Sequence, residues 1–322
     1  AAEQGGQCAL VYGTCKWRGD HGAAELPGTP EALDAPPPVA RSVLQVRPQR
    51  HSAAFLNERD AKGRPRWLGT MLMEATIPQL QASYPAESTG EPVSFASPLV
   101  FELDQPSTSD PRAHLQLESL EEAFRALTPA GGWDLIVGVD SGGDVFGGLE
   151  DARDYCMLEF LAELAKMQEA RGMRRCRFEL VVAGLCIDGE NTFEAMNAKL
   201  AKATTGNAFL RRQSAEVIQP YLEPVTKAME PNKTPRILLA ALAGALPRRP
   251  PPGGTAPDRD ALGFPLGAFV QLPPRHHQIK EHQENQAADR PPEPVGLVIP
   301  QRWADSLYFF DGQFAVRAFH GQ

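Results

Sequence analysis

Two stretches constrain the fold of this chain more than any other feature. "WDLIVGVD" (133–140) and "FELVVAGLCID" (178–188) are almost unbroken apolar runs, each followed by a segment with helical spacing. A strand that alternates apolar and polar residues buries one face, whereas a strand apolar throughout is suited to burial on both. Between the runs, a helix from about Arg153 to Arg171 carries Leu158, Leu161 and Ala165 on one stripe and Phe160, Leu164 and Met167 beside it. That face is wide enough to lie against a sheet. After the second run, "NTFEAMNAKLAKA" aligns Phe193, Met196 and Leu200. Before the first run, "SLEEAFRALT" opens on a capping box, Ser119 with Glu122, and aligns Leu120, Phe124 and Leu127. The order strand, helix, strand, helix predicts an α/β fold of Rossmann-like type: a mostly parallel sheet with helices on both faces.

The flanks are less regular. "CALVYGT" (8–14) reads as a buried strand, and the "AAEQGGQ" before it as the tail of a helix with its glycine stop. Residues 19–66 are polar and rich in proline and form a loop insertion, while 68–84 is helical in part and interrupted at Pro78. Leu99–Leu103 is a short strand. After the central unit, "SAEVIQPYLEPVTKAME" is helical but broken by Pro220 and Pro224. The alanines of "RILLAALAGAL" (236–246) favour helix. The expected organisation is a core over 1–246, a proline-rich and partly mobile segment over 247–294, and a β segment over 295–322 that returns to the core. In that last segment Asp311-Gly312 lies between two apolar runs, a hairpin signal. No internal repeat is present.

Composition narrows the function classes. With 42% hydrophobic residues, the 322-residue chain can bury a substantial core. Net charge is −8 and the basic residues are scattered, which argues against a nucleic-acid binder. The five cysteines lack the close spacing of a zinc site or a disulfide framework, so a reducing intracellular address, cytoplasmic or in an organelle matrix, is expected. No apolar run approaches the roughly 18 residues of a membrane span. No signal peptide is visible, although the chain opens without methionine.

The candidate site is the junction "VDSGGDVFGGLED" (139–151). In open α/β sheets, ligands bind beyond the carboxyl ends of the strands, where helix N-termini offer free amides. Asp140 is placed at such an end, followed by Ser141. Gly142 and Gly143 remove side chains, so a ligand could approach the backbone. The loop matches neither GxGxxG nor the P-loop with its lysine. Asp140, Asp144, Glu150 and Asp151 crowd it instead and would repel a bare phosphate. Such a loop fits hydroxyls or amines of a ligand, or a magnesium ion on Asp140 and Asp144 that bridges to phosphate. It fits equally a tight turn whose aspartates cap the loop and helix. At the end of the second run, Asp188, Gly189 and Glu190 repeat the pattern, and if the strands are neighbours the two acidic clusters share one sheet edge. An N-cap formed by Asn191 with Glu194 explains that segment as well. His276, His277 and His282 lie in a polar, proline-flanked stretch that reads as surface. Trp17 and Arg18 could meet a ligand but read as loop. Sequence alone assembles no Ser-His-acid triad.

At these residues the chain resembles the family called domain of unknown function number eleven fifty-two. "GVDSGGD" (138–144) matches its central motif, Glu150 an acid after a further glycine, Asp188 to Glu190 a later "DGE", and "YFFD" (308–311) a C-terminal segment. Trp17 and Arg18 are a degenerate counterpart of a tryptophan-and-arginine motif. The likeness spans roughly Cys8 to Phe319, implies a Rossmann-like fold with a metabolic role, and assigns no reaction. Family members open with a strand and a glycine-rich loop, a unit absent here. Three explanations are open: an upstream extension, a separate polypeptide that supplies the strand, or a site abandoned in this lineage. Two functions are therefore expected from different classes: binding of a small metabolite or nucleotide at the acidic loop, or an accessory subunit without chemistry. A dehydrogenase is disfavoured, since no GxGxxG follows a strand.

Overall fold

A computed structural model of the chain describes residues 7–8, 11–15, 43–45, 94–95, 99–103, 121, 124–125, 128–146, 153–226, 234–254, 257–274 and 296–320. The chain divides into two compact units, Ala1–Gly132 and Trp133–Gln322. In the first, Leu99–Leu103 pairs in parallel with Val11–Cys15 and antiparallel with Val43–Gln45. Gln7–Cys8 pairs in parallel with Ser94–Phe95. The strands expected near Leu99 and in the first apolar run are therefore present. The expected helix over 68–84 and the capping box at Ser119 lie outside the described residues.

The second unit is built on four strands: β1 (Leu135–Ser141), β2 (Arg177–Ala183), β3 (Phe209–Ser214) and, late in the chain, the strand Ser306–Asp311. This last strand lies between β2 and β3 and runs antiparallel to both. β1 and β2 pair in parallel, with Leu135 beside Arg177 and Ser141 beside Ala183. The result is a mixed α/β sheet. A parallel pair needs a crossover, and α1 (Arg153–Ala170) provides it. α2 (Phe193–Thr205) then leads from β2 to β3.

Among the described residues, α1 and the C-terminal helix use one face of this sheet. Gly138 lies against Leu161 of α1, and Gly312 against the Phe178 ring, so both contacts fall on the face shared by Gly138, Phe178 and Leu180. The helix that begins at Gly312 also ties to α1, where Gln313 Nε2 donates to the Ala162 carbonyl at 3.0 Å. On the opposite face Leu135, Val137 and Val139 remain 38%, 42% and 75% exposed. There, buried Glu179 forms ion pairs with Arg177 and Arg211 at 3.2 and 3.0 Å, and the Arg211 guanidinium lies 3.8 Å over the Phe309 ring. Helices on both faces were expected from the continuous apolar runs; among the described residues α1 and the C-terminal helix share one face. In β1, apolar side chains on the outer face of an edge strand produced the same pattern as two-sided burial.

Three further expectations are corrected. The run 178–188 does not stay extended: the strand stops at Ala183, and Gly184 (φ +70) and Cys186 (φ +62) turn the chain. Leu185, Cys186 and Ile187 are fully buried in that turn, which is why the run looks like strand to its end. Asp311-Gly312 makes no hairpin: Gly312–His320 is a helix, and Asp311 Oδ1 accepts from the Phe314 amide at 2.9 Å as its cap. The helix after β2 is capped by Thr192, whose hydroxyl accepts from the Ala195 amide at 3.2 Å, rather than by Asn191.

Residues 234–242 are helical, α4 (Thr234–Leu242), after α3 (Gln219–Thr226), which accommodates Pro220 in its first turn. The proline-rich region holds structure that its composition concealed: β4 (Arg248–Arg249) and β5 (Phe269–Gln271) form a small antiparallel sheet with β6 (Val298–Pro300). A short helix, α5 (Gln301–Ala304), connects this sheet to β7 (Ser306–Asp311), and α6 (Gly312–His320) follows. Trp303 on α5 is fully buried and donates from Nε1 to buried Asp260 at 3.0 Å.

Candidate functional site

The carboxyl ends of β1 and β2 lie side by side, so the two acidic segments do share one edge. Asp140 is half-buried and registers with Val182 of β2. Beyond Ser141 the chain turns through Gly142 (φ +117) and Gly143 (φ +99), conformations that an L side chain resists. The loops then interlock. The Cys186 amide donates to the Gly142 carbonyl at 2.6 Å, and a side chain at Gly142 would sit on the Asp188 carboxylate. A side chain at Gly143 would collide with the Met196 methyl of α2 at 2.7 Å. The space that these glycines leave is occupied by the protein's own residues.

Asp188 is 7% exposed, and its Oδ1 accepts from the Glu190 amide at 2.9 Å across Gly189 (φ +76). Glu190 is half-buried. Beside them, buried Asn191 accepts from Lys199 Nζ at 2.5 Å, while its Nδ2 meets no acceptor among the described residues. In the sequence Asn191 carries only a cap signal; its burial beside the acids is a tertiary feature with no local trace. Burial pushes the Cys186 thiol well above its usual range, and the Asp188 carboxylate adds to that, so the thiol stays protonated.

Asp144 opens a single helical turn, Asp144–Phe146, but its side chain, Gly147, Gly148, Glu150 and Asp151 lie outside the described residues, as do Trp17, Arg18, His276, His277 and His282. Among the described residues no group of three or more His, Cys, Asp or Glu side chains is placed to hold a metal ion.

A cavity of about 620 Å³ opens at the β3–β7 side of the same sheet edge. Ser214 and Ser306, cross-strand partners, line it with Arg212, Arg302 and Asp305, and the last turn of α4 forms another wall. None of these residues stands in a motif. They come together because β7 inserts between β2 and β3. Asp305 is half-buried, and burial raises its carboxyl above the usual value despite the Ser306 hydroxyl and the two nearby guanidiniums. Among the described residues no helix is long and apolar enough to cross a membrane. No family model, curated protein or solved structure matches this chain.

Proposed function

We propose that this chain binds a small polar metabolite or a nucleotide at the carboxyl edge of its sheet, where the loops after β1 and β2 meet. One observation carries the reading: the Cys186–Gly142 hydrogen bond and the packing of Asp188 on Gly142 lock two acid-bearing loops into a single unit. Asp140, Ser141, Asp188 and Glu190 then act as acceptors for ligand hydroxyls or amines, and the buried Asn191 Nδ2 supplies a donor. Gly142, Gly143 and Gly189 form the backbone of the same two loops, with the Gly189 amide donating to the Cys186 carbonyl at 2.9 Å. Asp144 and Glu150 complete the proposal as sequence neighbours of the loop, with a divalent cation as a bridge to phosphate. Membership in the uncharacterised family that shares "GVDSGGD", with its Rossmann-like fold, is part of this reading. Cys176 and Cys186 are free thiols, and an intracellular address is part of the same reading.

Calorimetric titration of the full chain with a nucleotide panel, with and without magnesium, tests it. Binding is expected, and Asp140→Asn should weaken it by roughly tenfold, the worth of a charged hydrogen bond. A second reading, an accessory subunit that keeps the fold without binding, is favoured by one observation: Asp188 and Met196 fill the space above Gly142 and Gly143. Absence of binding across the panel selects that reading, in which a partner polypeptide pairs with β1, the edge strand among the described residues.

A further inference from the structure

The cavity beside β3 and β7 shares no lining residue with the acidic loops. Two cations converge on it in a chain whose net charge is −8. Neither Arg212 nor Arg302 lies within salt-bridge distance of a carboxylate among the described residues. The five described ion pairs instead engage Lys166, Arg174, Arg175, Arg177 and Arg211. Asp305 acts on both guanidiniums through space, yet neither is closed into a contact ion pair, which leaves them able to take up an anion.

Each guanidinium has a close neighbour. Arg212 lies over the Phe264 ring, 5.0 Å from its centroid. Arg302 lies across Gly267, which has φ +70; a Cβ there would stand 3.5 Å from Arg302 Nε. A side chain held against a ring, as Arg212 is, loses less rotamer freedom when it takes up an anion. The floor between them is polar: Ser306 is buried and donates to Asp305 Oδ1 at 3.2 Å, and the Ser214 hydroxyl accepts from the Glu216 amide at 3.2 Å. The volume falls within the roughly 300–1,000 Å³ range of metabolite sites.

We propose that this cavity binds a small metabolite through a terminal phosphate or carboxylate, which Arg212 and Arg302 clasp. Asp305 and Glu216, on the same walls, accept from hydroxyl or amino groups on the rest of the ligand. The site is independent of the acidic-loop proposal and stands or falls separately.

The test is calorimetric titration of the full chain at low ionic strength with inorganic phosphate, glycerol 3-phosphate and citrate as separate arms. Saturable binding is expected, with the phosphate and citrate arms showing which anion is preferred. Arg302→Gln, at an exposed position, should weaken binding roughly 10- to 100-fold, and Arg212→Gln similarly. Because Arg212→Gln removes the contact with Phe264 and can disturb folding, Ala243→Asp serves as a second probe. It places a negative charge at an exposed wall position and should also weaken binding. Arg175→Gln, at a position exposed elsewhere, should bind as the parent does. No saturable binding of any of the three anions at millimolar concentration overturns the proposal. So does binding that Arg302→Gln and Ala243→Asp leave unchanged.

Discussion

Asp188 is sealed at 7% exposure with the Gly142 backbone against its carboxylate, whereas Asp305, at the end of the adjacent strand, faces a cavity of about 620 Å³. Both stand at one edge of the same sheet, since the Gly184 amide donates to the Ser306 carbonyl at 3.0 Å. The difference lies in what each neighbourhood does with glycine and charge. Around Asp188, glycines admit side chains of the protein, and the turn is an interlock. Around Asp305, Gly267 lies against Nε, Cδ and Cγ of Arg302, and a cavity opens beside them. A glycine beside a carboxylate thus marks a close approach, and the approaching partner can be the protein itself.

The largest expected effect tests the closed half. Gly142→Ala forces a side chain into a positive-φ position and onto Asp188, which should cost about 3 kcal/mol or more, read from the urea midpoint. Adding Asp188→Ala should recover the steric part and leave the backbone part, a coupling that a double-mutant cycle measures. An unchanged midpoint in Gly142→Ala would mean that the loops do not interlock. Next comes the divider between the two halves, Trp303, whose carbonyl accepts from Leu185 and whose Nε1 donates to Asp260. Trp303→Phe leaves Asp260 short of a buried donor and should cost about 2 kcal/mol by the same measurement. A loss below half that value would show that Asp260 finds another partner.

The third effect has the opposite sign. Tyr308 is fully buried on β7, its hydroxyl meets no partner among the described residues, and burial holds its ionisation far above the ordinary range. Tyr308→Phe removes an unsatisfied group and should stabilise the fold by about 1 kcal/mol. Destabilisation would reveal a hidden partner and a more polar open half. The smallest effect concerns Asp305, whose folded carboxyl binds its proton more tightly than its ordinary value of 3.8 allows. The stability it contributes is complete below that pH and is lost as pH rises through the raised folded value. Asp305→Asn should therefore raise the denaturation midpoint at pH 7 and leave it unchanged near pH 3. A uniform shift at both pH values would assign the change to packing instead.

Sequence pattern located β1, α1, α2 and the α4 helix because each carries its own periodicity or apolar run. It placed Asp140 and Asp188 at one edge because a helix-linked pair of apolar strands implies parallel neighbours. It extended β2 too far, since the turn residues Leu185 to Ile187 are as buried as a strand. The helix α6 was hidden behind Asp311-Gly312, where the same aspartate that begins a hairpin turn also caps a helix. The antiparallel insertion of β7 between β2 and β3 has no local trace, because pairing partners more than a hundred residues apart leave no mark in a window of ten. The arginine cavity follows from that insertion, so it was illegible for the same reason.

One measurement addresses the central claim, that the loops after β1 and β2 form a ligand surface. Backbone amide NMR of the full chain, titrated with the nucleotide panel and magnesium, should shift Gly142, Gly143 and Gly189 together, and Asp140→Asn should suppress those shifts. Amides that stay still at all three glycines, with any shifts confined to Arg212, Arg302 and Ser306, would contradict the claim and leave only the arginine cavity as a site.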